Sequence, residues 1–265
     1  MINIYLEDGT MTDNLDVKKL LTDYLKELHL PTIRACYEEL ARMAEANTLS
    51  YEQFLFEVIE KEVEIRRTNR FVRLLKESKL PLEKSLENFD QKRLPQKVRL
   101  QLKNLLEGYF LDNTENVLVF GNPGTGKTHL LCAIAQELIS KDYRLYFSTC
   151  SLFVQDLLKA KSELRLSRFL KKLSKYKGII IDDIGYVQQN REEMEVLFTF
   201  LAEKYERASV LLTSNLPFSK WELIFKDPMT TAAAIDKLIH HSIIIELDIP
   251  SFRMEKAIEK TQNNS

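Results

Sequence analysis

Cysteine, glycine and long apolar runs are the scarce features of this chain. Its 265 residues include three cysteines, Cys36, Cys132 and Cys150. They lack paired or metal-type spacing and sit among core-like neighbours. That excludes a disulfide framework and predicts reduced, buried thiols in a cytoplasmic protein. No apolar stretch approaches the ~18 residues of a membrane span, and no signal-peptide pattern opens the chain, so no membrane partner is expected. The first ten residues show no clear periodicity and read as a flexible lead. No Ser/His/Asp or Cys/His arrangement points to nucleophilic catalysis. His240 and His241 are adjacent, which aims them to different sides of a helix and makes them a poor metal pair.

Glycine is rare, with only 7 in the chain, so the three within one octapeptide stand out. Gly121-Asn122-Pro123-Gly124-Thr125-Gly126-Lys127-Thr128 matches the phosphate-loop pattern G-x-x-x-x-G-K-[ST]. An apolar strand pattern at 116–120 runs into it, and a helical pattern at 129–139 runs away from it. Glycines let backbone N–H groups turn inward, and a helix N-terminus adds partial positive charge, so a triphosphate fits there. Lys127 is expected to pair with the β- and γ-phosphates and Thr128 to place its hydroxyl on Mg²⁺. The other half of such a site belongs on a neighbouring strand tip. Gly178-Ile-Ile-Ile-Asp-Asp183 supplies an apolar strand ending in two carboxylates. Asp182 fits the Mg²⁺ side, and Asp183 fits the base that positions an attacking water. A third strand, 210–215, ends at Asn215, which could orient that water from the far side.

Three zones order the chain. Residues 1–78 read as a helical N-terminal domain, with apolar stripes such as Leu20, Leu21, Tyr24, Leu25 and Leu28. Residues 79–96 carry Pro81 and Pro95 without periodicity and read as a linker. From 97 to 265 strand and helix patterns alternate, with strands expected at 116–120, 143–148, 178–182, 208–214 and 243–247. That rhythm predicts an α/β domain with a parallel sheet covered on both faces.

A net charge of −1 conceals local clusters. Between Lys159 and Lys177 eight residues are basic and one, Glu163, is acidic. Leu164, Leu166, Phe169, Leu170 and Leu173 interleave with them. Lys161, Arg165, Arg168 and Lys172 then share one face of a predicted helix. A second cluster at 66–103 holds twelve basic and four acidic residues, with Arg66, Arg70 and Arg73 on one helical face. One charge run is usually a solvated surface. Two in a near-neutral chain point to duplex DNA, bound through backbone and shape.

The combination of Ser85–Asp90, Gly121–His129, Ile181–Gly185, Leu212–Phe218, Ala232–His241 and Ser251–Arg253 resembles the AAA+ ATPases of the initiator and helicase-loader branch. IstB-type transposition helper ATPases are the best match and DnaC-like helicase loaders the next. The resemblance implies ATP with Mg²⁺, hydrolysis to ADP and phosphate, and a homo-oligomer assembled by ATP and DNA that hands a target site to a transposase. It adds His129 to the phosphate loop, makes Phe89 the adenine-side element and makes Arg253 a sensor for the γ-phosphate. Two departures stand out. Many AAA+ proteins carry Asp-Glu where this chain has Asp182-Asp183, which bears on turnover. Lys237 occupies a position where many relatives carry an arginine that reaches a neighbouring subunit; it is either a weaker trans-acting finger or a surface charge. Only 12 residues follow Arg253, so an abbreviated lid is expected, with closure depending on the neighbour. Two alternatives stay open, a helicase loader and a nucleotide-gated scaffold with little turnover. A small-molecule P-loop kinase is disfavoured because no substrate-binding insert is evident.

Overall fold

The computed structural model describes residues 14–185, 190–221 and 228–255. The flexible lead expected for the first ten residues lies outside them. Two compact units divide between Arg70 and Phe71.

The first unit contains α1 (Asn14–Glu27), α2 (Pro31–Ala46) and the first part of α3 (Tyr51–Ser78). Nothing caps α2 locally, because Leu30 precedes it and Pro31 opens it. Glu62 does that work from α3. Its carboxylate accepts the N–H groups of Thr32 at 2.9 Å and Ile33 at 3.0 Å and pairs with Arg66 at 2.7 Å. Burial opposes ionisation, yet these hydrogen bonds win and hold the carboxyl below its ordinary range. Leu25, Ala44 and Val58 are buried nearby, whereas Leu20, Leu21, Tyr24, Phe56 and Ile59 remain exposed.

The second unit is an α/β layered structure. After the end of α3, residues 79–96 lead through a short 3₁₀ turn at Gln91–Arg93 into α4 (Gln96–Glu107) and α5 (Tyr109–Asp112). The expected linker is therefore partly core, with Leu80 and Leu94 buried against α4 and the sheet. Alternation follows: β1 (Asn116–Gly121), α6 (Lys127–Ser140), β2 (Leu145–Thr149), α7 (Cys150–Ser162), α8 (Leu166–Leu173), β3 (Gly178–Ile184), α9 (Arg191–Lys204), β4 (Ser209–Ser214), α10 (Pro228–Ile239) and β5 (Ser242–Leu247).

The five strands are parallel in the order β2-β3-β4-β1-β5. The apolar runs 117–120 and 179–181 explain this arrangement, since a parallel sheet is buried on both faces. Successive side chains alternate. Leu118, Ile179, Ile181 and Leu212 join one core with α7, α8, α9 and α10, while Val117, Val119, Ile180 and Leu211 join the other with α4 and α6. All five expected strands are present, within two residues at each end.

Among the charge clusters, one expectation fails. The basic segment is not a single helix. Leu164 takes φ 54° between α7 and α8, so Lys161 and Arg165 fall on opposite sides of a break.

Candidate functional site

β1 is flanked by β4 and β5, and the chain leaves its carboxyl end through the glycine loop into α6. In open α/β sheets such a strand end is where ligands bind. Gly124 and Gly126 take φ 84° and 93°, which a side chain would strain. A Cβ on Gly124 would also strike Ser251 Oγ at 2.1 Å, and one on Gly126 would meet Phe89 at 3.3 Å. Both glycines are thus fixed by backbone angle and by what lies over them. Lys127 is buried, and its Nζ donates to the carbonyls of Gly121 at 2.9 Å and Asn122 at 3.1 Å. Burial pushes its pKa down, against the pull of Asp183 and Asp182. Thr125 Oγ1 closes the loop on the Asn122 carbonyl at 2.9 Å.

β3 carries the acids. Its register against β4 slips between Ile181 and Ile184, and Asp183 takes φ 60° within the irregularity. Thr213 on β4 fills the gap. Its hydroxyl donates to Asp182 at 2.6 Å and accepts the Asp183 N–H at 2.7 Å. The Thr128 hydroxyl, at the start of α6, also favours the charged form of Asp182. Burial raises its pKa, with the two threonine hydroxyls pulling the other way. Asp182 is thus a buried carboxylate locked beside the first turn of α6, and Asp183 is exposed.

These groups open onto one cavity of about 420 Å³. Phe89, the loop from Pro123 to His129, Asp182, Asp183, Asn215 and Arg253 all line it. Gly121 and Asn122 stand behind, supplying the carbonyls that hold Lys127. Asn215 Oδ1 is buried without a hydrogen-bond partner among the described residues. The ring of Phe89 meets His129 edge-on at 5.0 Å, and His129 Nε2 bonds the Ser85 carbonyl at 2.9 Å.

Three residues given no role from the sequence shape the site, Phe252 and Arg93 in the cavity wall and Thr213 behind it. Phe252 N–H donates to the Gly124 carbonyl at 3.0 Å, which lays the 250–255 segment across the loop. Arg93 holds that segment. It donates to the Pro250 carbonyl at 3.0 Å, pairs with Glu255 and covers the Phe252 ring at 5.1 Å. Thr213 is the third. Only the Thr-Ser-Asn exit hinted at it, because its value depends on a bulge in another strand.

The remaining candidates lie elsewhere. Lys237 does not line the cavity; its Nζ stands over the rings of Phe198 at 5.4 Å and Tyr205 at 5.9 Å. Arg165, Arg168 and Lys172 line an open groove with Lys79, Lys175 and Tyr176. Lys161 pairs with Glu195 at 3.2 Å outside it. The buried Lys204 fixes the far end of α8 by reaching the Leu170 carbonyl and Ser174 Oγ at 3.4 and 3.3 Å. In the first unit Arg66 is committed to Glu62 and to the His29 carbonyl. Arg70 and Arg73 are exposed on α3.

Comparison with known proteins adds the family. The family model described as IstB-like ATP binding protein matches residues 23–260. A protein of Sinorhizobium fredii named as an insertion sequence ATP-binding protein is 37% identical, covering 89% of this chain and 79% of its own. A protein of Geobacillus stearothermophilus named as the ATP-binding protein of insertion sequence IS5376 is 35% identical, covering 92% and 98%. Among solved structures, the DnaC helicase loader superposes with a TM-score of 0.55 at 16% identity, covering 63% of this chain and 97% of that one. AMPPCP-bound DnaA from Aquifex aeolicus gives 0.53 at 21%, covering 70% and 56%. These two likenesses show that the chain shares the fold of those proteins. With a glycine loop under a buried lysine, a strand-tip carboxylate beside it and a family match across nearly its whole length, the chain belongs to the IstB-like ATP-binding protein family.

Proposed function

We propose that this protein binds ATP with Mg²⁺ in the 420 Å³ cavity, hydrolyses it slowly, and uses the bound state to assemble on duplex DNA as a helper of a transposase. The observation that carries the reading is the convergence of Lys127, Thr128, Asp182, Asp183 and Asn215 on one cavity. The names of its relatives, which belong to insertion sequences, favour the transposition context.

The donor set suits the metal. The Thr128 hydroxyl and the Asp182 carboxylate are hard oxygen donors on the same cavity, the ligand type a Mg²⁺ ion with retained waters takes. Bound there, the ion would neutralise charge on the β- and γ-phosphates. Lys127 releases its loop carbonyls to pair with the same oxygens, where low dielectric makes its charge count for more. Asp183, exposed beside Asp182, orients the attacking water and takes its proton. Asn215 Oδ1 gives that water a second acceptor. Arg253 supplies positive charge from the segment that Arg93 holds. Phe89 closes the base side over Gly126.

Lys237 lies outside its own cavity, which suits a group offered to a neighbouring subunit. The groove with Arg165, Arg168 and Lys172 offers DNA a row of cations. Exposed apolar residues on α1 and α3 offer a protein partner a surface.

Nucleotide binding and phosphate release by three proteins test the core of this reading. Lys127→Ala should lose ATP binding. Asp183→Asn should keep binding and lose phosphate release. Equal nucleotide binding by all three would remove Lys127 from its role, and undiminished release by Asp183→Asn would remove Asp183.

A further inference from the structure

Sequence spacing makes His240 and His241 a poor metal pair, on the assumption that both lie on a helix. The structure removes that assumption. α10 stops at Ile239, and the two histidines form the turn into β5. Their rings meet edge-on with centroids 4.2 Å apart. Glu206 reaches the same place from the turn before β4, where its backbone takes φ 57°. One ligand atom from each of Glu206, His240 and His241 lies within 4.8 Å of the other two.

We propose that Glu206, His240 and His241 form a binding site for a divalent transition metal of the zinc class, distinct from the nucleotide site. Two imidazole nitrogens and one carboxylate oxygen are a donor set zinc favours, with a fourth position left to water. Mg²⁺ prefers oxygens alone and would not compete.

Two features prepare the site. The first is orientation. Tyr205 OH and His240 Nδ1 are hydrogen-bonded at 3.0 Å, which fixes the orientation of that ring. The second is a backbone brace through Asn116, the first residue of β1. Its N–H donates to the His241 carbonyl at 2.7 Å and its Nδ2 to the Leu238 carbonyl at 3.0 Å, while its Oδ1 accepts the Val210 N–H at 2.9 Å. The turns into β4 and β5 are thereby held on either side of β1 whether or not metal is present. The carbonyl end of α10 adds partial negative charge. Nearby charges are Asp236, which acts on Tyr205, and Lys237 over the Tyr205 ring; Arg207 is paired with Glu203.

The site sits at the amino ends of β4 and β5, whereas the phosphate loop leaves the carboxyl end of β1. A metal there would staple the two turns and stiffen α10, which carries Lys237. It would thus be a structural metal rather than part of the ATP chemistry.

Tag-free full-length protein, stripped with a chelator and held in excess Mg²⁺ without nucleotide, should be titrated calorimetrically with Zn²⁺. One zinc per chain is expected. His240→Ala and His241→Ala should each weaken binding about tenfold or more, and Tyr205→Phe by about tenfold, the usual effect of losing a group that orients a ligand. Zinc should raise the thermal midpoint of the natural chain and leave that of the double histidine variant unchanged. The ligands are exposed, so the variants should fold, which their unchanged far-UV spectra would verify. No saturable zinc binding, binding undiminished in the double variant, or binding that disappears in Cys36→Ser would overturn the proposal.

Discussion

Thr213 Oγ1 stands 2.6 Å from Asp182 Oδ1, and through that one hydroxyl β4 fixes the acidic tip of β3. The same oxygen accepts the Asp183 N–H, so a single side chain satisfies the irregularity that lets two successive acids serve one cavity. Thr213→Val keeps the shape and removes the hydroxyl. The buried Asp182 carboxylate then loses the hydroxyl that donates to it, at a cost of about 1–3 kcal/mol. Chemical denaturation should show a loss of that order. Phosphate release should fall further than ATP affinity, because Asp183 is displaced while the loop survives.

Asp182 makes the fold pay for its site. Burial raises its pKa, so folding favours the neutral acid. The stabilisation from this group is complete below the unfolded-state carboxyl pKa and is lost as pH rises through the higher folded value. Above that range an ionised Asp182 lowers the stability of the nucleotide-free protein. Asp182→Asn should raise the nucleotide-free thermal midpoint at pH 7 and lose that advantage in acid. The same variant should gain little stability from Mg²⁺-ATP. A midpoint difference that does not change with pH would contradict the assignment.

Phe89 packs over Gly126 and edge-on to His129, and the proposed function makes it the wall on the base side. Stacking on an aromatic ring contributes about 1–3 kcal/mol per base. Phe89→Ala should weaken ATP about tenfold or more and leave inorganic tripolyphosphate affinity nearly unchanged. Parallel losses for both ligands would mean that Phe89 supports the loop rather than the base.

Much of this was legible in the sequence, for a physical reason. A phosphate loop needs glycine at fixed positions and a parallel strand needs a continuous apolar run, so Gly121–Thr128 and Gly178–Asp183 declared themselves. Contacts between distant segments did not. Arg93 looks like one more cation in a basic stretch, yet it clasps Pro250 and Glu255 more than 150 residues away. The basic segment was misread because leucine spacing at 164–173 fits an unbroken helix, and nothing local marks Leu164 for a positive φ. His240 and His241 were misjudged for a related reason, since the end of α10 decides where they point.

Reversal of Arg165, Arg168 and Lys172 to Glu tests the groove. Duplex binding should weaken across unrelated sequences, and the salt dependence should flatten by roughly one unit per lost phosphate contact. ATP binding should be unaffected, since none of the three lines the nucleotide cavity. An unchanged salt slope would move the DNA surface elsewhere, with Arg70 and Arg73 the next candidates.

The central claim is that ATP in the Lys127 cavity controls assembly on DNA. Duplex binding and particle mass, measured together by fluorescence anisotropy and light scattering, should be compared with ATP, with ADP and without nucleotide. The account predicts large, cooperative complexes with ATP alone, at least about tenfold tighter binding (about 1.4 kcal/mol) than in the other states, and no nucleotide response in Lys127→Ala. Equal DNA affinity and equal mass in all three states would contradict it.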